Sequence, residues 1–184
     1  MTNPIHQNRI SLKNLKVADF ASEETLCFSA TVLFDGRPIA EARNDGHGGY
    51  TILRPLMRAH DRLSEAEAFA KTLPPVTVEH DDPSRNFTIG VTLGFLTESL
   101  ASQIHSDRKI RAAFKRQIGK EVLYISDGRL LALRGVRLNT VTDKPALFSE
   151  LRSKHKGEIV ILAELPLEDA FTLWKRHMIE EDRP

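Results

Sequence analysis

Seven consecutive residues, Asn44-Asp45-Gly46-His47-Gly48-Gly49-Tyr50, hold the densest polar chemistry of this chain. Three glycines around one histidine free the backbone from the limits that a Cβ imposes. His47 is of the residue type used most often as a general acid or base, with Asp45 or Asn44 to orient it. Gly46, Gly48 and Gly49 can turn backbone N–H groups toward an anion or a ligand carbonyl. If the chain is an enzyme, His47 and Asp45 are its candidate catalytic residues. As a binding element the segment offers Asn44, Asp45, Gly46, His47, Gly48, Gly49 and Tyr50. A long hairpin loop with a solvated histidine would have the same composition. The segment is not a dinucleotide fingerprint, since it lacks the G-x-G-x-x-G spacing and a helix directly after it.

Other groups are less concentrated. Arg108, Lys109, Arg111, Lys115, Arg116 and Lys120 cluster in one stretch. At helical periodicity Arg108, Arg111 and Lys115 share a face opposite Ile110 and Phe114. That face could take phosphates or an acidic protein surface, and nucleic acid would be reached through it. No aromatic residue interleaves with the charges, so base stacking is unsupported there. His60-Asp61 and His80-Asp81-Asp82 have the residue types of metal ligands. Prolines and turn signals place both pairs in loops, and no metal site is assigned. Cys27 falls with Ser29 and Thr31 on the less apolar side of a strand and reads as inert, because no base is shown beside it. With one cysteine, neither an intramolecular disulfide nor a cysteine zinc site can form within one chain. No Gly-x-Ser-x-Gly elbow, P-loop or His-Glu-x-x-His occurs, and no cofactor is implied.

These residues need a scaffold, and the periodicity supplies one. Residues 8–57 are β-rich. Leu26 to Phe34 alternate as a half-buried strand, Asp35-Gly36 is a hairpin turn, and Ile39, Ala40 and Ala42 lie on the return strand. Pro38 suggests that the return strand starts at an edge. The apolar set of the first strand shifts from Ile10 and Leu12 to Leu15 and Val17, the phase change of a β-bulge. Tyr50 to Met57 is a further short extended segment. Ser64 and Glu67 form a capping box that opens a helix running to Leu73, closed by Pro74-Pro75. Leu93, Leu96, Leu100 and Ile104 mark one helix, and Ser106 or Asp107 caps another with Ile110, Phe114 and Ile118. Asp127-Gly128 joins two strands, residues 144–156 form a short helix ending at Gly157, and Ile159 to Ala163 read as a buried strand. A last helix begins at Pro166 with a stripe of Leu167, Ala170, Phe171, Trp174 and Met178. The expected class is α+β, with an N-terminal antiparallel sheet of hairpins and a helix-rich α/β C-terminal part.

The length of 184 residues fits one domain, with a possible internal boundary near 74–86 between a β-rich part, 8–73, and a helix-rich part, 87–184. Hydrophobic residues at 41% and charged residues at 28% allow an ordinary core. A formal net charge of +1 excludes a strongly basic nucleic-acid binder by bulk charge, though not a local patch. No apolar run approaches the ~20 residues that span a bilayer, and Met1 to Gln7 lacks the layout of a signal peptide. The expected location is cytoplasmic, without a membrane partner.

The string Ala21-Ser22-Glu23-Glu24-Thr25-Leu26-Cys27-Phe28-Ser29-Ala30-Thr31-Val32, followed by Asp35-Gly36 and by Asn44-Asp45-Gly46-His47-Gly48-Gly49, resembles a family of small uncharacterised proteins of phages, prophages and plasmids. The resemblance spans roughly residues 12–50. It implies a mobile-element context in a bacterial host cell, where accessory proteins that bind and inhibit host machinery are common. No catalytic residue carries over from it. The leading expectation is therefore an accessory protein that binds a host protein or protein complex, such as an anti-defence inhibitor. The alternative is an enzyme or small-molecule binder that takes a phosphate-containing ligand through the glycine-rich loop. A structural phage component is a third reading, with no long coiled coil to support it.

Overall fold

The computed structural model describes residues 5–78, 82–155 and 157–181. His80 and Asp81 of the second histidine–aspartate run, and Lys156 at the end of the expected short helix, lie outside these residues. The chain divides into two compact units, residues 1–106 and 107–184. The division falls inside a helix, and residues 74–86 lie within the first unit.

In the first unit, strands β1 (Ile10–Val17), β2 (Phe28–Phe34), β3 (Arg37–Asn44) and β4 (Ile52–Pro55) form an antiparallel sheet in that order. Asp35 and Gly36 turn β2 into β3 with φ of 49° and 75°, the left-handed pair that matches the twist of a two-residue hairpin. β1 carries the expected bulge: Asn14 has φ 53°, and the pairing with β2 shifts between Lys13 and Lys16. Ile10 and Leu15 are consequently both buried although they are five residues apart. β3 is an inner strand, but β4 pairs only with its residues Ala40–Arg43. Pro38 therefore lies beyond that pairing, where its missing N–H costs no bond to β4.

The inner face of this sheet, with Phe28, Ala30, Val32 and Phe34 of β2 and Ile39, Ala40 and Ala42 nearby, shares a core with Ala66 and Ala70 of helix α1 (His60–Thr72) and with Leu93, Leu96 and Ala101 of helix α2 (Leu93–Ile118). Two short strands, β5 (Val76–Val78) and β6 (Phe87–Ile89), pair between the helices. α1 begins one turn before the capping box. Ala59 occupies the N-cap with no side-chain cap, and Ser64 lies within the helix. Burial of Ala59 and the left-handed turn at Arg58, φ 62°, set the start, so tertiary anchoring overrides the local signal. This also moves His60-Asp61 from the expected loop into the first turn of α1. α2 is one uninterrupted helix of 26 residues rather than the expected two.

The second unit has its own sheet, in which β7 (Glu121–Ser126) lies between β8 (Arg129–Arg137) and β9 (Val160–Ile161). Asp127 and Gly128, with φ 51° and 72°, close the β7–β8 hairpin. Both faces of β7 are covered. Val122 and Tyr124 pack with Phe148 and Leu151 of helix α3 (Lys144–Lys154), while Leu123 packs with Phe114 and with Phe171 and Trp174 of helix α4 (Leu167–Glu181). Asp143 caps α3 by accepting the N–H of Ala146 at 2.9 Å. The buried strand expected over residues 159–163 is shorter, continuing from β9 into a 3-10 turn. The stripe of α4 is narrower than expected: Ala170, Phe171 and Trp174 are buried, whereas Leu167 and Met178 are exposed. Among the described residues no helix is long and apolar enough to cross a membrane.

Candidate functional site: the braced loop end of the first sheet

β3 ends at Asn44 and β4 begins at Ile52, so the glycine-rich segment is their connection. It lies against the connection between β1 and β2, residues 18–27, at the same end of the sheet. Asn44 is only 1% exposed, and every polar atom of its amide is engaged. Its Oδ1 accepts the N–H of Gly46 at 2.9 Å and the hydroxyl of Thr25 at 2.9 Å. Its Nδ2 donates to the carbonyl of Gly49 at 3.1 Å and to Thr51 Oγ1 at 3.3 Å. Thr51 in turn donates to Glu98 of α2 at 3.2 Å. A buried amide satisfied on both sides holds a loop in one conformation, because losing any partner leaves a desolvated polar group.

Across the contact, the N–H groups of Glu23, Glu24 and Thr25 all point at the carbonyl oxygen of Gly46, at 3.1, 3.0 and 3.2 Å. Successive N–H groups arranged this way form a concave nest for a negative atom, and here the chain fills it with its own carbonyl. The glycines follow from this closeness. Gly46 has φ +91°, and a Cβ on it would stand 2.0 Å from the carbonyl oxygen of Ala21. Gly48 has φ +81°, and a Cβ there would meet a Glu24 carboxylate oxygen at 2.1 Å. Gly49 has open space around it.

The expected anion cradle is thus largely committed inside the protein. The Gly46 amide is bonded to Asn44, and the Gly48 amide donates to Thr25 Oγ1 at 3.3 Å. His47 does face a carboxylate, but it belongs to Glu23, at 3.2 Å from Nδ1, rather than to Asp45. Both side chains are mostly exposed, 61% and 68%. An exposed pair of this kind is well hydrated and is weakly coupled. Asp45 is exposed, and Tyr50 stands 97% exposed at the end of the loop. Phe20, in the 3-10 turn Asp19–Ala21 at this same end of the sheet, is 94% exposed. Cys27 is half-buried, its N–H bonded to Ser22 Oγ at 2.9 Å.

The basic stretch lies on α2, with Arg108, Arg111 and Lys115 in the second unit. Arg111 is taken up by α4: its Nη1 donates to both carboxylate oxygens of Glu168 at 2.9 Å, and its guanidinium lies 4.3 Å from the Phe171 ring centre. Lys175 of α4 pairs with Asp107 at 3.2 Å. Of the basic face, Arg111 is therefore neutralised by α4, whereas the Lys175–Asp107 pair takes up an acid of α2. Among the described residues no group of three or more His, Cys, Asp and Glu side chains is placed to hold a metal ion.

Sequence reasoning singled out the loop but not what braces it. Glu23, Thr25, Thr51 and Glu98 are brought to Asn44 and His47 by strand pairing and by α2, over separations that no local pattern reveals. Comparison with protein-family models, with curated proteins and with solved structures returns no match.

Proposed function

We propose that this chain is an accessory protein of a mobile element that acts by binding a macromolecule of its bacterial host, with inhibition of a host defence complex as the form such a role takes. The observation that carries the binding reading is the loop end of the first sheet. Its interior is braced by a fully engaged Asn44 and a filled backbone nest, while Phe20 and Tyr50 are almost wholly exposed. Rigid aromatic side chains on a preorganised loop are what macromolecular recognition uses, because little conformational entropy is lost on docking. The mobile-element context rests on the resemblance of residues 12–50.

The test compares immobilised wild-type protein with a Phe20→Ala/Tyr50→Ala variant in bacterial lysate, with and without nuclease. A stoichiometric macromolecule held by the wild type and lost by the variant, at unchanged thermal stability, is the expected result. Equal retention by both proteins, or none by either, overturns the reading.

One observation favours an enzyme acting on a phosphate-containing ligand: the His47–Glu23 pair, which has the composition of an acid/base dyad. That reading is the weaker, since the amides of Gly46 and Gly48 that it needs for the anion are already bonded to Asn44 and to Thr25.

A further inference from the structure

The outer face of the first sheet is positively charged in register. Strand pairing lines up Lys16, Ser29, Arg43 and Ile52 in one row across β1 to β4, and Lys13, Thr31, Glu41 and Arg54 in the next. The bulge in β1 makes this possible. Lys13 and Lys16 are three residues apart, a spacing that would put them on opposite faces of a regular strand. With the extra residue absorbed at Asn14, both face outward while Leu15 turns into the core. Lys13, Lys16, Arg43 and Arg54 are all exposed. None of the four enters an ion pair among the described residues. Glu41 is the one acid in the two rows, and the first row contains none. Lys16, Ser29 and Arg43 also line a hollow of about 350 Å³, with Cys27 beside them.

We infer that this face binds single-stranded nucleic acid, with the row Lys16–Ser29–Arg43 as its principal phosphate contact. The inference rests on the binding reading above and names its partner class. Three features select this occupant. The cations repeat in rows about 6.6 Å apart, two strand residues, so an extended phosphodiester chain can meet them in succession. The centre of the face is built of the small hydroxyl residues Ser29 and Thr31, which leave room for a backbone and can donate to its oxygens. The row ends at Ile52, two residues along the chain from Tyr50, which is 97% exposed and of a type on which bases stack. A duplex fits less well, since these cations lie on paired strands within a sheet rather than on a helix or ribbon that could enter a groove.

The probe is a fluorescein-labelled oligodeoxythymidine strand, read by anisotropy over a salt series with the full chain. The wild type should bind with a log–log salt slope of about −3, the value for four phosphate contacts on a single strand. Lys16→Gln/Arg43→Gln should bring the slope to about −1.4, two contacts, and Lys16→Glu/Arg43→Glu should weaken binding at least about tenfold. Glu41→Gln should tighten binding, an outcome that misfolding cannot imitate. Unchanged affinity in the charge-reversed protein, or no binding by the wild type, overturns the inference. It also fails if inorganic phosphate at the strand's phosphate concentration displaces the strand, which would mark a small-anion site, or if the matching duplex binds better. A lysate partner that depends on Phe20 and Tyr50 but survives charge reversal sinks the strand and leaves the binding reading standing. Loss of that partner in both variants, and on nuclease treatment, supports the two together.

Discussion

A methyl group at Gly46 and one at Gly49 would meet different worlds. At Gly46 it would drive into the backbone oxygen of Ala21 at 2.0 Å, from a φ of +91° that L side chains rarely adopt. At Gly49 it would point into open space. Gly46→Ala should therefore cost about 2–4 kcal/mol and Gly49→Ala less than about 0.5 kcal/mol, both read from urea unfolding of the purified proteins. Equal costs would mean that the contact with residues 21–25 does not hold the loop. Asn44 is the other pivot. Its removal in Asn44→Ala orphans the Gly46 amide and the Gly49 carbonyl together, at an expected cost of about 2–3 kcal/mol. His47→Ala gives up only a mostly exposed pair with Glu23, so its melting temperature should stay with the wild type. A large drop would make His47 a structural residue.

Among the elements, hairpins and the β1 bulge were legible because their causes are local: Asp35-Gly36 and Asp127-Gly128 carry the left-handed turn, and the apolar phase of residues 10–17 records the bulge. Helix limits were less so. The start of α1 depends on where Ala59 is buried, and the single span of α2 depends on two different cores accepting its successive faces, neither of which a capping residue reports. The site divides the same way. Its glycines mark an unusual backbone, but the atoms that require them, on Ala21, Glu24 and Thr25, arrive only when β1–β2 and β3–β4 close side by side. The first hairpin also sets an acid dependence. Arg9 donates to both Asp35 oxygens at 2.9 and 2.7 Å and lies 4.3 Å over the Phe34 ring. The hydrogen bond from Arg9 holds the Asp35 carboxyl below its ordinary 3.8. A carboxyl depressed in the folded state stabilises above its unfolded pKa, and that contribution is lost as pH falls through the folded one. The stability gap between wild type and Asp35→Asn should thus be constant from pH 7 to about 5 and close below the ordinary carboxylate range. A gap that persists at pH 2 would assign the effect to turn geometry rather than to charge.

At the scale of the molecule, one chain builds two cores, and α2 contributes to each: Leu93, Leu96 and Ala101 to the first, Phe114 to the second. The candidate loop and the positive sheet face belong to the first unit, whereas the sole tryptophan belongs to the second. Trp174 donates from Nε1 to Gln117 at 2.8 Å and sits 5.5 Å from the Phe114 ring, itself 5.3 Å from Phe171. Its emission therefore reports the second core, while amide exchange on Val32 and Leu33 reports the first. Phe114→Ala removes the centre of that aromatic cluster and should cost the second unit about 3–5 kcal/mol. If each core holds its own unit, the Trp174 transition should move to lower urea while protection at Val32 and Leu33 changes little. Coincident loss of both signals would mean that the 26-residue helix couples the two units into one cooperative fold. In that case a truncation ending near Ser106 would not preserve the first sheet, and strand binding by that face would have to be measured on the whole chain.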